Sequence, residues 1–252
     1  FTSGTTGKPK GVMISHKNVL WTIESLFGQM IPAAKFPRIV SYLPMAHIAA
    51  RAGDHYQAIY RIGQIFPVPV LEDMRDALPT IKPSVFLAVP RVWEKFKAGL
   101  EARIEENPKK DLIAKAIQNG LERVDYEQKG ESVPFMVSLK DKIFAKLVFS
   151  KFKEGLGIVD TEYFVTAAAP MNKDVHRWFH AIGIDVTEIY GMTEDTGPAT
   201  IGVPGNAVES FEKRLKVDSI KVPSVLNPIG KVGIPIPGTE VKVMEDGELC
   251  IK

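Results

Sequence analysis

Between residues 39 and 189 the chain alternates short apolar runs with longer stretches of helical period. The runs at 39–43, at Ile65, Phe66 and Val68, at 85–89, at 163–165 and at 186–189 are too short for helices. They are mostly apolar, and those at 85–89 and 163–165 are apolar on successive residues, as strands covered on both faces are. Helical stretches separate them, at 48–62, 77–81 and 175–182. Strand, helix, strand in repeated order predicts an α/β fold, a layered parallel sheet flanked by helices. An earlier helix is expected from Val19, with Leu20, Ile23, Leu26, Phe27 and Met30 on one face. Ser15 is placed to cap it and Pro32 to stop it. Residues 12–14 read as a short strand before it.

Residues 91–153 differ in character. They are charge-dense, mixed in sign and helical in pattern, with breaks at Asn107-Pro108 and at 130–134. Two or three helices are expected there, as an insertion or outer layer. Beyond about Ile220, Pro and Gly become frequent and Val232, Val241 and Val243 alternate with other residues. With a turn at 245–247, this reads as antiparallel β. The expected organisation is an α/β nucleotide-binding region over 1–222 and the start of a small β-rich subdomain over 223–252.

Composition narrows the function classes. The 252 residues carry 32 basic and 30 acidic side chains, a net charge of +2, which gives no reason to expect nucleic-acid binding. No apolar run approaches the roughly 18 residues that a membrane span needs. The single cysteine, Cys250, has no internal partner, which suits a reducing cytoplasm. The chain opens on Phe1, inside a Gly/Thr-rich run, and stops inside an apparent strand at Lys252. It reads as a piece of a longer protein, inactive when isolated.

The sharpest chemical signal is Thr2-Ser-Gly-Thr-Thr-Gly-Lys-Pro-Lys-Gly11. Gly4, Gly7 and Gly11 let backbone amides turn toward an anion. Thr2, Ser3, Thr5 and Thr6 add hydroxyl donors, and Lys8 and Lys10 add charge. Such a loop suits a polyphosphate. It is not a Walker A loop, because Pro9 and Lys10 break the required Gly-Lys-Ser/Thr spacing. A flexible linker is the plain alternative, and two lysines flanking Pro9 argue against it.

This run resembles the signature of the adenylate-forming enzymes, the family of acyl-CoA synthetases, luciferases and peptide-synthetase adenylation domains. Further segments match it: Glu188-Ile-Tyr-Gly-Met-Thr-Glu194, Val165-Thr-Ala-Ala-Ala-Pro-Met171, residues 230–243 and residues 247–252. The stretches 43–51 and 89–95 are similar to those of bacterial long-chain acyl-CoA synthetases. The resemblance implies ATP-dependent activation of a fatty acid to acyl-AMP and then to acyl-CoA, with ATP, Mg²⁺ and coenzyme A. Other readings left open are a luciferase-like or peptide-synthetase adenylating enzyme and a non-catalytic nucleotide-binding module.

By the same resemblance, Thr2, Ser3, Gly4, Thr5, Thr6, Gly7 and Lys10 bind the nucleotide's phosphates, and Thr193 bonds the α-phosphate. Glu194 holds the metal, with Asp195 beside it as a substitute. Tyr190 and Gly191 lie at adenine, with Ala168, Ala169 and Pro170 on its other side. His47 lies beside the acyl and thiol tunnel. A ribose-binding aspartate and a catalytic lysine are expected beyond Lys252.

Two further features have bland readings. His176 and His180 share a helical face at a zinc-site spacing, but Arg177 stands where a metalloprotease has glutamate, so packing is expected. Residues 139–154 form a basic amphipathic stretch. Leu139, Ile143, Leu147 and Phe152 are expected to bury, with Lys140, Lys146 and Lys153 facing out. The other reading of that stretch is peripheral contact with the inner face of a membrane. A homodimer is left open.

Overall fold

The computed structural model describes residues 2, 7–31, 36–203, 225 and 227–252. Ser3, Gly4, Thr5, Thr6, Pro32 and the expected boundary at 222–223 lie outside the described residues.

The sheet has seven strands: β1 Arg38–Ser41, β2 Gln64–Pro67, β3 Val85–Ala88, β4 Tyr163–Thr166, β5 Val186–Met192, β6 Gly197–Ile201 and β7 Ile234–Pro235. Their order across the sheet is β2-β1-β3-β4-β5-β6-β7. Neighbours from β2 to β5 run parallel, and β6 and β7 join antiparallel. A separate hairpin pairs β8 Val241–Val243 with β9 Leu249–Ile251.

Both faces of the sheet are covered, and strand periodicity explains how. Successive side chains on a strand point to opposite faces. In β3, Phe86 joins one core and Val85 the other; in β4, Phe164 and Tyr163 divide in the same way. The first core centres on Trp93, which is fully buried and meets Phe179 edge-on at 5.0 Å and Phe86 at 5.5 Å. The second holds Ile23, Leu26, Phe27, Met30 and Ile31 against the other face.

The helices are α1 His16–Ile23, α2 Ile48–Ala50, α3 Gln57–Arg61, α4 Met74–Ile81, α5 Pro90–Glu105, α6 Lys110–Lys129, α7 Phe135–Phe144, α8 Ser150–Leu156 and α9 Lys173–Ala181. Ser15 caps α1 through a reciprocal pair of bonds with Asn18, as its position in the sequence suggests. Three helices carry π-helical turns, which periodicity alone does not show. Glu24–Met30 extends α1, Arg51–Tyr56 joins α2 to α3, and Ala145–Phe149 joins α7 to α8. Arg61 donates to the carbonyls of Phe27 and Ile31 and so ties α3 to the end of the first helix.

The inserted region is helical apart from the expected breaks, at 106–109 and 130–134. It packs through α6 on α9, where a Cβ on Gly120 would lie 2.0 Å from the carbonyl oxygen of Ala181. Arg177 holds Asp125 with two bonds, of 2.9 and 2.7 Å, across the same contact.

Three expectations need correction, and one strand was not foreseen. Residues 12–14 pair with no strand among the described residues; they are extended, with Met13 fully exposed between half-buried neighbours. Val232 is not in a strand; pairing begins at Ile234. The strand β6 was not expected, yet all five of its residues are buried. Finally, Leu139, Ile143 and Leu147 are exposed, not buried. The buried side is the one carrying Val137, Phe144, Val148 and Phe149.

Candidate active site

A cavity of about 490 Å³ lies along the C-terminal ends of β3, β4 and β5. That is where open α/β sheets place ligands. Three sequence segments meet in it. His47 comes from the start of α2, Ala168, Ala169 and Pro170 from the loop after β4, and Tyr190 and Gly191 from the end of β5. The inner wall is apolar and includes Leu26, Phe27, Ile31, Val85 and Leu87.

His47 caps α2, its Nδ1 accepting from the backbone N–H of Ala49 at 3.1 Å. Nδ1 is therefore an acceptor nitrogen, which leaves the proton on Nε2; among the described residues no hydrogen bond is made by Nε2. The loop after β4 owes its shape to Ala168, whose φ of 74° lies in the left-handed region that a non-glycine residue seldom enters. One support for this loop is Glu188. Its Oε1 accepts from the backbone N–H of Met171 at 2.9 Å.

Behind Glu188 lies a buried polar cluster. His176 Nε2 is 2.7 Å and His180 Nε2 2.9 Å from the carbonyl oxygen of Val186. A carbonyl only accepts, so both rings carry their proton on Nε2. Asn227 donates to the same oxygen at 3.0 Å and to Asp185 Oδ1 at 2.7 Å. Burial first, and then the charge of His180, pushes the His176 ring down to about 4. The ring is neutral, its Nδ1 facing Glu188 Oε2 at 3.6 Å. The two histidines pack as the sequence suggests, and no metal-binding group of three or more His, Cys, Asp or Glu occurs among the described residues.

Gly191 has a steric task. A Cβ there would lie 1.8 Å from the carbonyl oxygen of Gly197, because β5 and β6 close together at the bulge between Tyr190 and Gly191. After β5 the chain makes a 3-10 turn, Thr193–Asp195. Glu194 is exposed. Burial, and then the negative charge of Glu194, raises the Asp195 carboxyl. Its Oδ2 is buried without a hydrogen-bond partner. An orphaned carboxylate oxygen next to an exposed carboxylate is a donor set that fits a hard divalent cation.

The glycine-rich loop is tied at its ends. Thr2 N–H donates to Lys10 O at 2.9 Å, and Lys10 N–H donates to Thr2 Oγ1 at 3.0 Å. Thr2, Gly7, Lys10, Thr193 and Glu194 do not line the cavity, whereas His47, Ala168–Pro170, Tyr190 and Gly191 do. Glu188, Gln57 and Lys173 also line it and were not singled out as site residues from the sequence. Glu188 opens the motif that ends at Glu194, and its position in a buried strand was the available clue.

The profile of the AMP-binding enzyme family matches residues 1–252. The chain belongs to the AMP-binding enzyme family. Among members of that family, a Mycobacterium tuberculosis protein named as a fatty-acid–CoA ligase, fadD11, is 34% identical over 259 residues, covering 100% of this chain and 41% of that protein. Long-chain-fatty-acid–CoA ligase ACSBG2 of Rattus norvegicus is 35% identical over 210 residues, covering 80% of this chain and 31% of its own length. This AMP-binding chain thus spans less than half the length of these relatives. The inhibitor-bound N-terminal domain of FACL13 from Mycobacterium tuberculosis shares the fold, with a TM-score of 0.57 at 19% identity, over 99% of this chain and 46% of that one. O-succinylbenzoate coenzyme A synthetase of Bacillus subtilis, solved with ATP and magnesium, gives 0.57 at 17% identity, over 99% and 37%. No helix among the described residues is long and apolar enough to cross a membrane.

Proposed function

We propose that this chain is the nucleotide- and acyl-binding part of an ATP-dependent fatty acid–CoA ligase. The observation that carries the reading is the single cavity where His47, Ala168–Pro170 and Tyr190 meet an apolar inner wall. Its lining combines the Tyr190 ring with a small-residue loop, which suits a purine. Its apolar wall suits an alkyl chain.

The chemistry follows from the weakness of a carboxylate as an electrophile. A carboxylate oxygen attacks the α-phosphorus of ATP, the bond to pyrophosphate breaks, and acyl-AMP forms. The thiol of coenzyme A then displaces AMP. No protein nucleophile takes part, so the protein's work is positioning and charge neutralisation. The loop from Thr2 to Lys10 holds the β- and γ-phosphates, and Thr193 bonds the α-phosphate. Tyr190 stacks on adenine against Ala168, Ala169 and Pro170. Glu194 and Asp195 hold Mg²⁺, which neutralises phosphate charge when bound. His47 Nε2–H faces the route by which acid and thiol arrive.

Glu194→Gln in the full-length protein tests the assignment. Losing a charge-stabilising group of this kind costs ~3 kcal/mol, so adenylation should fall about a hundredfold. Wild-type pyrophosphate release by the variant at saturating Mg²⁺ removes Glu194 from the site.

A further inference from the structure

A second concavity lies on the helical insertion, outside the strands that frame the active site. It is a trough of about 440 Å³ between α5, α6 and α8. Its floor is apolar: Leu100, Ile113, Val148 and Phe152. Leu112 and Leu147 form its lips and are exposed. The charged side chains that line it are all cations: Arg103, Lys109 and Lys151.

Two nearby lysines are neutralised by carboxylates. Lys97 pairs with Glu101 and Lys110 with Glu105, each within 2.7 Å. Arg103, Lys109 and Lys151 belong to none of the ion pairs among the described residues. An apolar floor open to solvent, rimmed by unneutralised positive charge and by no carboxylate, complements an amphiphile with an anionic head. The concavity has the volume of a ligand pocket, enough for a single chain. Arg103 offers the planar fork that matches a carboxylate.

We infer that this trough is a second binding site, for a single fatty-acid anion, with the tail on the Leu100–Phe152 floor and the carboxylate at Arg103 and Lys151. The inference stands on the trough alone and does not require that the central cavity activate a fatty acid.

Photo-crosslinking tests it, with a palmitate analogue carrying a diazirine on its chain, used below micellar concentration on the full-length protein. Peptide mapping separates the two sites. Adducts on segments 100–113 and 147–155 report the trough; adducts on 26–57 and 165–190 report the central cavity. The double variant Arg103→Glu, Lys151→Glu should lose at least tenfold of the trough adducts and keep its cavity adducts and its basal activity. The methyl ester of the probe, which has no charge, should label the wild-type trough at least tenfold less than the acid. No trough adducts, or trough adducts indifferent to both changes, overturns the inference. So does trough labelling that appears only when phosphatidylglycerol vesicles are added, which makes this face a membrane contact.

Discussion

The backbone N–H of Met171 donates to Glu188 Oε1 at 2.9 Å, tying the loop after β4 to β5. Both elements wall the active-site cavity, so this one bond fixes the distance between the two sides proposed to hold adenine. The other carboxylate oxygen faces the bare Nδ1 of His176, two acceptors in a buried space. Glu188→Ala leaves the Met171 N–H without its partner and should cost ~2 kcal/mol. Glu188→Gln keeps an acceptor for Met171 and gives His176 Nδ1 a donor, so it should cost nothing or stabilise. Urea unfolding of the two variants decides this; equal losses in both contradict the geometry.

His176 makes stability depend on pH. Its folded-state pKa of about 4 lies below the ordinary 6.5. Between those values the unfolded chain takes up a proton that the folded chain refuses. The stability from the neutral ring is complete above about 6.5 and is lost as pH falls toward 4, about 3 kcal/mol in all. His176→Gln keeps an N–H for Val186 and does not titrate. Its unfolding free energy should fall less steeply between pH 7 and 4 than that of the wild type. Parallel slopes contradict the assignment.

Asp54 slopes the other way. It is buried in the π turn between α2 and α3, and burial, opposed by a hydrogen bond from Ser41, pushes its carboxyl up to about 6. Its contribution is complete below about 3.8 and is lost as pH rises through 6, by ~3 kcal/mol. Asp54→Asn should therefore be more stable than wild type at pH 7.5 and equal to it near pH 3.5, again by urea unfolding. A variant less stable at pH 7.5 shows that the ionised carboxyl has a partner worth more than its burial costs.

Gly191 is the position where the sequence motif and the fold coincide. Gly191→Ala places a methyl group 1.8 Å from a backbone oxygen, which only a shift of β6 relieves. A loss of at least ~2 kcal/mol is expected, with nucleotide affinity falling as β5 moves. A variant of wild-type stability, measured by thermal unfolding, shows that the bulge is adaptable.

Much of this was legible in the residues. The five short runs became β1 to β5 within a few positions; β3 and β4, inside the sheet, carry the apolar pattern of strands covered on both faces, while β2 lies exposed at the edge. The motif residues at 47, 168–170 and 190–191 did converge on one cavity. What stayed hidden has physical causes. Both sides of the helix at 137–149 carry apolar residues at helical spacing, Leu139, Ile143 and Leu147 on one and Val137, Phe144 and Val148 on the other, so period alone pointed to the exposed side as readily as to the buried one. The polar cluster behind Glu188 joins His176, Val186 and Asn227, which are distant in sequence and meet only when the sheet forms. The apolar inner wall draws Leu26 and Leu87 from separate elements, and each reads locally as ordinary core.

The central claim is that the cavity brings a fatty carboxylate to the α-phosphate of ATP. The most direct measurement incubates the full-length protein with ATP, Mg²⁺ and a series of fatty acids, without coenzyme A, and follows pyrophosphate and acyl-AMP together. The account predicts pyrophosphate release that requires a fatty acid and matches acyl-AMP in amount. Release of ADP and phosphate instead, or pyrophosphate formation indifferent to the fatty acid, contradicts it.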